Sequence, residues 1–305
     1  MKIISSISII TLLLLSNTVI GQGYVFRVLA NRGDNQVLKV DGTTQPLKTG
    51  AKLNAGESIL AGNGAYIGLM HKTGKTIEVR TAGTTQVNDL EKKISAVKTG
   101  VANRYAQFVM NKMNEGDGDV NKNYRNNLKA TGAVNRATNS SSIKVMLPSS
   151  IDLLNPDAII RWAGGDEGTN YIVTVKNIFD EEIFVTETSE TSVKIDFDAD
   201  KLANERLVIL SVKSKEDESV TSSDYGIKRM STDDAKSINE NLEILKAEVS
   251  DDSPLNKLIY ASFYEENNLI LDALTKYEEA VLLSPDVDDF KSIYDDFLIK
   301  NGLSK

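Results

Sequence analysis

Residues able to do covalent chemistry occur in this chain in suggestive pairs. Ser95 and Lys98 stand three positions apart, as do Ser141 and Lys144, a spacing at which a lysine can activate a serine nucleophile. Lys-Thr-Gly, a frequent companion of such a pair, begins at Lys48, Lys72 and Lys98. Most of these residues fall in glycine turns or in polar linker, so the structural context that acyl transfer requires is missing. Asp117, Asp119, Asn121 and Asn123, and again Asp196, Asp198 and Asp200, set hard oxygens at alternate positions, like the start of a calcium loop. Lys122 and Lys201 occupy the sixth position, where such loops need glycine, and no bidentate glutamate closes either one. Both are read as solvated turns. His71 is the single histidine and there is no cysteine, which removes most soft-metal and triad chemistry. Gly62-Asn63-Gly64 precedes a strand pattern rather than a helix, so it is not a nucleotide loop. Carboxylates are too numerous for one pair to stand out. No residue is read as catalytic, cofactor-binding or metal-binding, and the chain is expected not to be an enzyme.

The first residues say where the chain goes. Lys2 is a basic start, Ile3 to Leu15 an apolar run diluted by Ser and Thr, and Ser16-Asn17-Thr18 a polar exit. Val19 and Gly21 offer small residues before Gln22, so residues 1–21 read as a secretory signal peptide, an uncleaved anchor being the alternative. An exported chain without cysteine must hold each domain by its core alone, which points to a bacterial periplasm or cell surface. Charge is divided: Gln22 to Ser142 carries 17 basic and 9 acidic side chains, Ile143 to Lys305 17 basic and 34 acidic. Opposite fields fit either complementarity between the chain's own parts or a basic half meeting an anionic envelope polymer and an acidic half meeting a basic partner.

Residues 22–113 read as a small all-β domain plus a helix. YVFRVLA, QVLKV, SILAG, AYIGLM and KTIEVR are strand-like, broken by NRGDN, DGTT, AGNG and KTGK turns. Arg32-Gly33-Asp34 is expected in a hairpin turn between the first two runs. Gly50, Leu53, Gly56, Ile59, Gly62, Ala65, Ile67, Leu69, Gly74 and Ile77 carry a resemblance to the FecR-type β domain of bacterial envelope proteins. That resemblance implies a link to envelope sensing, although nothing here matches the cytoplasmic half that controls a sigma factor. From Leu90 to Met113 a helical period takes over, with Ile94, Val97, Val101, Tyr105, Phe108 and Val109 on one face, and a single helix is expected. Residues 114–142 are polar and read as a linker.

Residues 143–231 contain seven strand-like runs: IKVML, AIIRWA, NYIVTV, EIFVTET, SVKIDF, RLVILSV and SDYGIKRM. Pro148, Trp162 and Tyr171 give this stretch a resemblance to fibronectin type III or immunoglobulin-like sandwiches, which implies two packed sheets with Trp162 in the core. Residues 232–305 return to helical periods. Ala261, Tyr264, Ala273, Tyr277, Ala280 and Pro285 resemble one tetratricopeptide repeat over about 34 residues, with Lys257 where a large aromatic is usual. Stacked repeats bury a core only with neighbours. A single copy must therefore either close against the sandwich or leave a groove for a partner. The expected architecture is multidomain α+β: a small β domain with a following helix, a sandwich, and helical hairpins. The expected function is an interaction scaffold of the cell envelope. A glycan- or peptidoglycan-binding module and a FecR-related sensor component are the alternatives. A protein partner, basic in character, is expected at the helical end around Tyr260, Tyr264, Leu271 and Tyr277.

Overall fold

A computed structural model describes residues 23–94, 100–115, 143–166 and 168–304. Residues 1–21, expected to be a signal peptide, nearly all of the stretch expected to be a linker, Ser95, Lys98, Asp117 to Asn123 and Ser141 lie outside the described residues. The chain is mixed α+β, β-rich at its N-terminal end and helical towards its C-terminal end.

Eight short strands open it: β1 (Phe26–Arg32), β2 (Gln36–Leu38), β3 (Thr44–Pro46), β4 (Lys52–Leu53), β5 (Ser58–Ala61), β6 (Tyr66–His71), β7 (Thr76–Val79) and β8 (Gly83–Gln86). They form two antiparallel four-stranded sheets, of order β4-β1-β6-β7 and β3-β2-β5-β8. Phe26, Val28, Val37, Leu53, Ile59, Ile67 and Leu69 are buried between them. β1 and β2 belong to different sheets, so Arg32-Gly33-Asp34 is a sheet-to-sheet crossing and not the hairpin turn expected from the sequence. The buried Asn35 side chain shapes that crossing: its amide nitrogen donates to Asn31 Oδ1 and the Arg32 carbonyl, and its oxygen accepts from the Gly62 N–H.

Two helices follow, α1 (Val87–Lys93) and α2 (Val101–Glu115), in place of the one expected. The first ends at Ile94, whose backbone is extended (φ −85°, ψ 107°). The shared apolar period misled because Leu90 and Ile94 belong with the first β core, whereas Tyr105 and Val109 face the C-terminal helices.

The next strands are β9 (Lys144–Val145), β10 (Ser150–Leu153), β11 (Asp157–Ala163), β12 (Tyr171–Lys176), β13 (Glu182–Thr188), β14 (Ser192–Asp196), β15 (Leu207–Ser214) and β16 (Tyr225–Arg229). A five-stranded sheet of order β10-β16-β15-β12-β13 faces a three-stranded one of order β14-β11-β9. Alternation along β15 buries Val208, Leu210 and Val212, and β11 supplies Ala158, Ile160 and Trp162. Trp162 meets Tyr171 edge to face at 5.3 Å, and the Tyr171 hydroxyl donates to the Gly164 carbonyl at 2.8 Å.

Four helices close the chain: α3 (Thr232–Glu248), α4 (Pro254–Glu266), α5 (Ile270–Leu283) and α6 (Asp288–Lys300). Ser231 caps α3 by accepting from the Asp234 N–H, and Ser253 caps α4, with Pro254 in its first turn. Ala261, Ala273 and Ala280 are fully buried, which lets α4 and α5 lie close together. These helices share one continuous core with the second pair of sheets and with Leu29, Ala30, Tyr66 and Met70 of the first β unit. Every residue of β6 is buried as a result, because the face turned away from its own core is covered. Gly68 makes that approach feasible, since a Cβ there would lie 3.1 Å from Leu255 Cδ2.

The turn before β7 is held as closely by α2. Gly74 has φ +93°, and a Cβ on it would fall 2.6 Å from the Asn103 Cα. Gly74→Ala therefore combines a left-handed backbone with a backbone collision, and we predict a loss of about 1–3 kcal/mol in a urea titration. A midpoint equal to wild type would show that this contact is slack.

Candidate functional site

Where the helices meet the second pair of sheets, β11 is not fully paired. β14 runs along one side of Asp157–Arg161, whereas β9 reaches only Trp162 and Ala163 on the other. An open strand edge carries N–H groups that must find acceptors. Helix α5 meets this edge with three residues along one helical face: Thr275 accepts from a β11 N–H, Asp272 holds the turn that leads into β11, and Glu278 holds the Arg161 side chain. Thr275 Oγ1 accepts from the Ile159 N–H at 3.0 Å and donates to the Leu271 carbonyl at 2.9 Å. Asp272 accepts from the N–H groups of Leu154 (3.1 Å) and Asn155 (2.8 Å) and from the Asn155 side chain. Glu278, buried, takes both arms of Arg161 and the Tyr294 hydroxyl.

A second buried carboxylate ties in α2. Glu265 accepts from Lys112 (2.7 Å), Lys300 (2.8 Å) and the Tyr277 hydroxyl (2.9 Å). Burial alone would raise its pKa, but these three donors hold it below the usual carboxylate value. Arg104 to Glu266 at 2.6 Å and Arg32 to Asp286 at 3.1 Å are further bridges between the basic and the acidic halves. Glu78 meets the start of α4, accepting from the Leu255 N–H and the Tyr66 hydroxyl, a favourable place for a carboxylate.

Beside the α5–β11 seam lies a cleft of about 540 Å³. The loop Asn155-Pro156-Asp157 and Lys194 form one wall; Lys246, Ser250 and Asp251 form the rim at the end of α3. Lys257, Tyr260 and Tyr264 from α4 and Thr275, Lys276 and Glu279 from α5 complete it, over Asp272. Lys257 Nζ bridges Asp251 (3.0 Å) and Glu279 (2.7 Å), and Lys276 Nζ reaches the same two carboxylates at 2.9 Å each. The Tyr260 hydroxyl donates to the Val249 carbonyl at 2.6 Å, and burial pushes both this phenol and that of Tyr264 up.

The four residues expected to meet a partner are therefore inside the molecule. Leu271 and Tyr277 are wholly buried, and Tyr260 and Tyr264 are 2 % exposed, at the back of the cleft. The face they occupy is filled by the protein's own strands and helices. Sequence reasoning missed Asp272, Thr275 and Glu278, whose spacing of three was the available signal. His71 ends β6 and is buried, with Nδ1 2.7 Å from Thr73 Oγ1, and burial lowers its pKa. Asp196 accepts from the Asp198 N–H, and Asp198 pairs with Arg229, so these oxygens are engaged within the chain. Among the described residues there is no group of three His, Asp or Glu placed to hold a metal. Lys144 donates to the Ser304 carbonyl. No family model matches this chain, and no curated protein matches it.

Asp272 gives the seam a pH signature. Burial lifts its carboxyl from the ordinary 3.8 to about 6, against hydrogen bonds that favour the ionised form. The folded protein thus holds this proton more tightly than the unfolded chain does. Its contribution to stability is complete below pH 3.8 and is lost as pH rises through 6. Between pH 4 and 7 wild type should lose about 2 kcal/mol relative to Asp272→Asn. Parallel stability profiles in chemical denaturation at the two pH values would contradict this.

Proposed function

We propose that this chain is an exported, non-enzymatic modular protein that acts as an interaction scaffold in a bacterial cell envelope. The observation that carries this reading is a single helical hairpin braced on both sides, by β6 and β7 through Gly68, Glu78 and Thr76 and by β10 and β11 through Asp272, Thr275 and Glu278. Such bracing suits a rigid platform presenting outer faces. Two facing sheets with Trp162 buried between them support the immunoglobulin-like part of this reading. A tetratricopeptide-like hairpin is supported by the buried alanines of α4 and α5.

With the four tyrosine and leucine positions filled internally, the partner's footprint moves to the outer face of α3. Asp233, Asp234, Glu240, Glu243 and Ile244 are exposed there, a pattern matched by a basic partner with an apolar contact. The anionic-polymer reading for the basic half is weakened because Arg32, Arg104 and Lys112 are engaged with acidic residues of the other half.

Deleting Thr232 to Lys305 would strip the shared core, so surface substitutions are the cleaner test. In-cell crosslinking of the tagged chain is expected to recover a protein that Glu240→Lys with Glu243→Lys no longer recovers. Equal recovery from both chains would remove α3 as the docking face. Recovery of wall material alone would favour the glycan-binding alternative.

A further inference from the structure

The acidic helical region from Thr232 to Lys305 contains seven lysines and 17 carboxylates. Three of those lysines, Lys246, Lys257 and Lys276, line this cleft, and Lys194 adds a fourth from β14, beside the carboxylates Asp157, Asp251, Asp272 and Glu279. Lys257 and Lys276 stand on neighbouring helices whose backbones are fixed by the α4–α5 packing, and their side chains are only 12 % and 15 % exposed. Two poorly hydrated ammonium groups held at fixed spacing make a preorganised receptor for a carboxylate.

That receptor is filled by the chain itself, in two different ways. Glu279 sits on α5, is 19 % exposed, and is part of the cleft wall. Asp251 sits on the turn joining α3 to α4, is 45 % exposed, and places a single oxygen, Oδ2, against both ammonium groups. A carboxylate on an open turn can swing into solvent at small cost, whereas one on a packed helix cannot. Once Asp251 leaves, both ammonium groups keep Glu279 as their one remaining carboxylate partner and face a cleft lined also by Ser250, Lys194, Lys246, Asp157 and Asp272. The volume, about 540 Å³, is in the range of small-molecule sites.

We propose that this cleft binds a small organic carboxylate, with Lys257 and Lys276 taking the carboxylate group and Asp251 occupying its place in the free protein. Asp251 then acts as an internal competitor that sets the affinity. The site borders the α3 face assigned to a protein partner through the Lys246–Glu243 pair, but its variants touch neither residue, so either assignment can fail alone.

The test is isothermal titration of the purified full chain with citrate and, separately, with glycerol phosphate at equal ionic strength. Asp251→Asn, which removes the charge at an exposed turn, is expected to bind citrate at least tenfold more tightly than wild type. Adding Lys276→Gln, or Lys257→Gln, to Asp251→Asn should abolish that gain, while adding Lys236→Gln, on the exposed part of α3, should leave it intact. Each variant's far-UV circular dichroism and melting temperature are recorded, and Asp251→Asn with Lys257→Gln stands in should the Lys276 variant not fold. Absence of citrate binding by Asp251→Asn, or binding indifferent to both lysines, would overturn the proposal. Tighter binding of glycerol phosphate than citrate would overturn the carboxylate assignment.

Discussion

The arrangement depends on how the open edge of β11 is satisfied. A buried strand edge must find acceptors for its N–H groups or bear a penalty of about 1–3 kcal/mol for each one left over. Helix α5 answers with Thr275 at the Ile159 N–H, while Asp272 takes the N–H groups of the turn before β11 and Glu278 the Arg161 side chain; together they fix the helical hairpin against the second pair of sheets. Everything else follows from that placement. With α5 held there, α4 lies against β6, α6 brings Phe290 against Tyr66, and α2 is trapped by Glu265 and Glu266.

Polar groups at this seam specify more than they stabilise. Burying Glu278 with Arg161 costs desolvation that the pairing only offsets, so the gain lies mainly in excluding other registers. A purely apolar face on α5 could slide along the strand edge; three hydrogen-bonding residues at intervals of three cannot. The same reasoning covers Glu265, whose three donors come from α2, α5 and α6 and meet at one point. The opposite charges of the two halves are spent in part on these contacts, as Arg104 with Glu266 and Arg32 with Asp286 illustrate.

Much of this was legible in the residues. The five N-terminal strand runs and the seven later ones each correspond to a strand, and the helices around Ala261, Ala273 and Phe290 lie where their apolar period puts them. What escaped were β3, β4, β8 and β10, two to four residues long and partly exposed, whose existence depends on a neighbour rather than on their own pattern. The break at Ile94 was hidden because the apolar residues before and after it share a period while serving different cores. The partner residues were read as a groove because Tyr260, Tyr264, Leu271 and Tyr277 carry repeat-like spacing. Spacing shows which face is apolar and cannot show what covers it. The lysine cleft was invisible for a related reason: Lys194, Lys257 and Lys276 are far apart in sequence and meet only once α4 and α5 dock.

The central claim is that the helices and the second pair of sheets are one cooperative body. Trp162 is the single tryptophan and lies in the sheet core, so its fluorescence reports the sheets, while circular dichroism at 222 nm reports mainly the helices. Urea unfolding of the full chain followed by both signals measures the claim directly. The account predicts coincident transitions with one midpoint. Loss of helical signal at lower urea, with Trp162 still in its native environment, would contradict it.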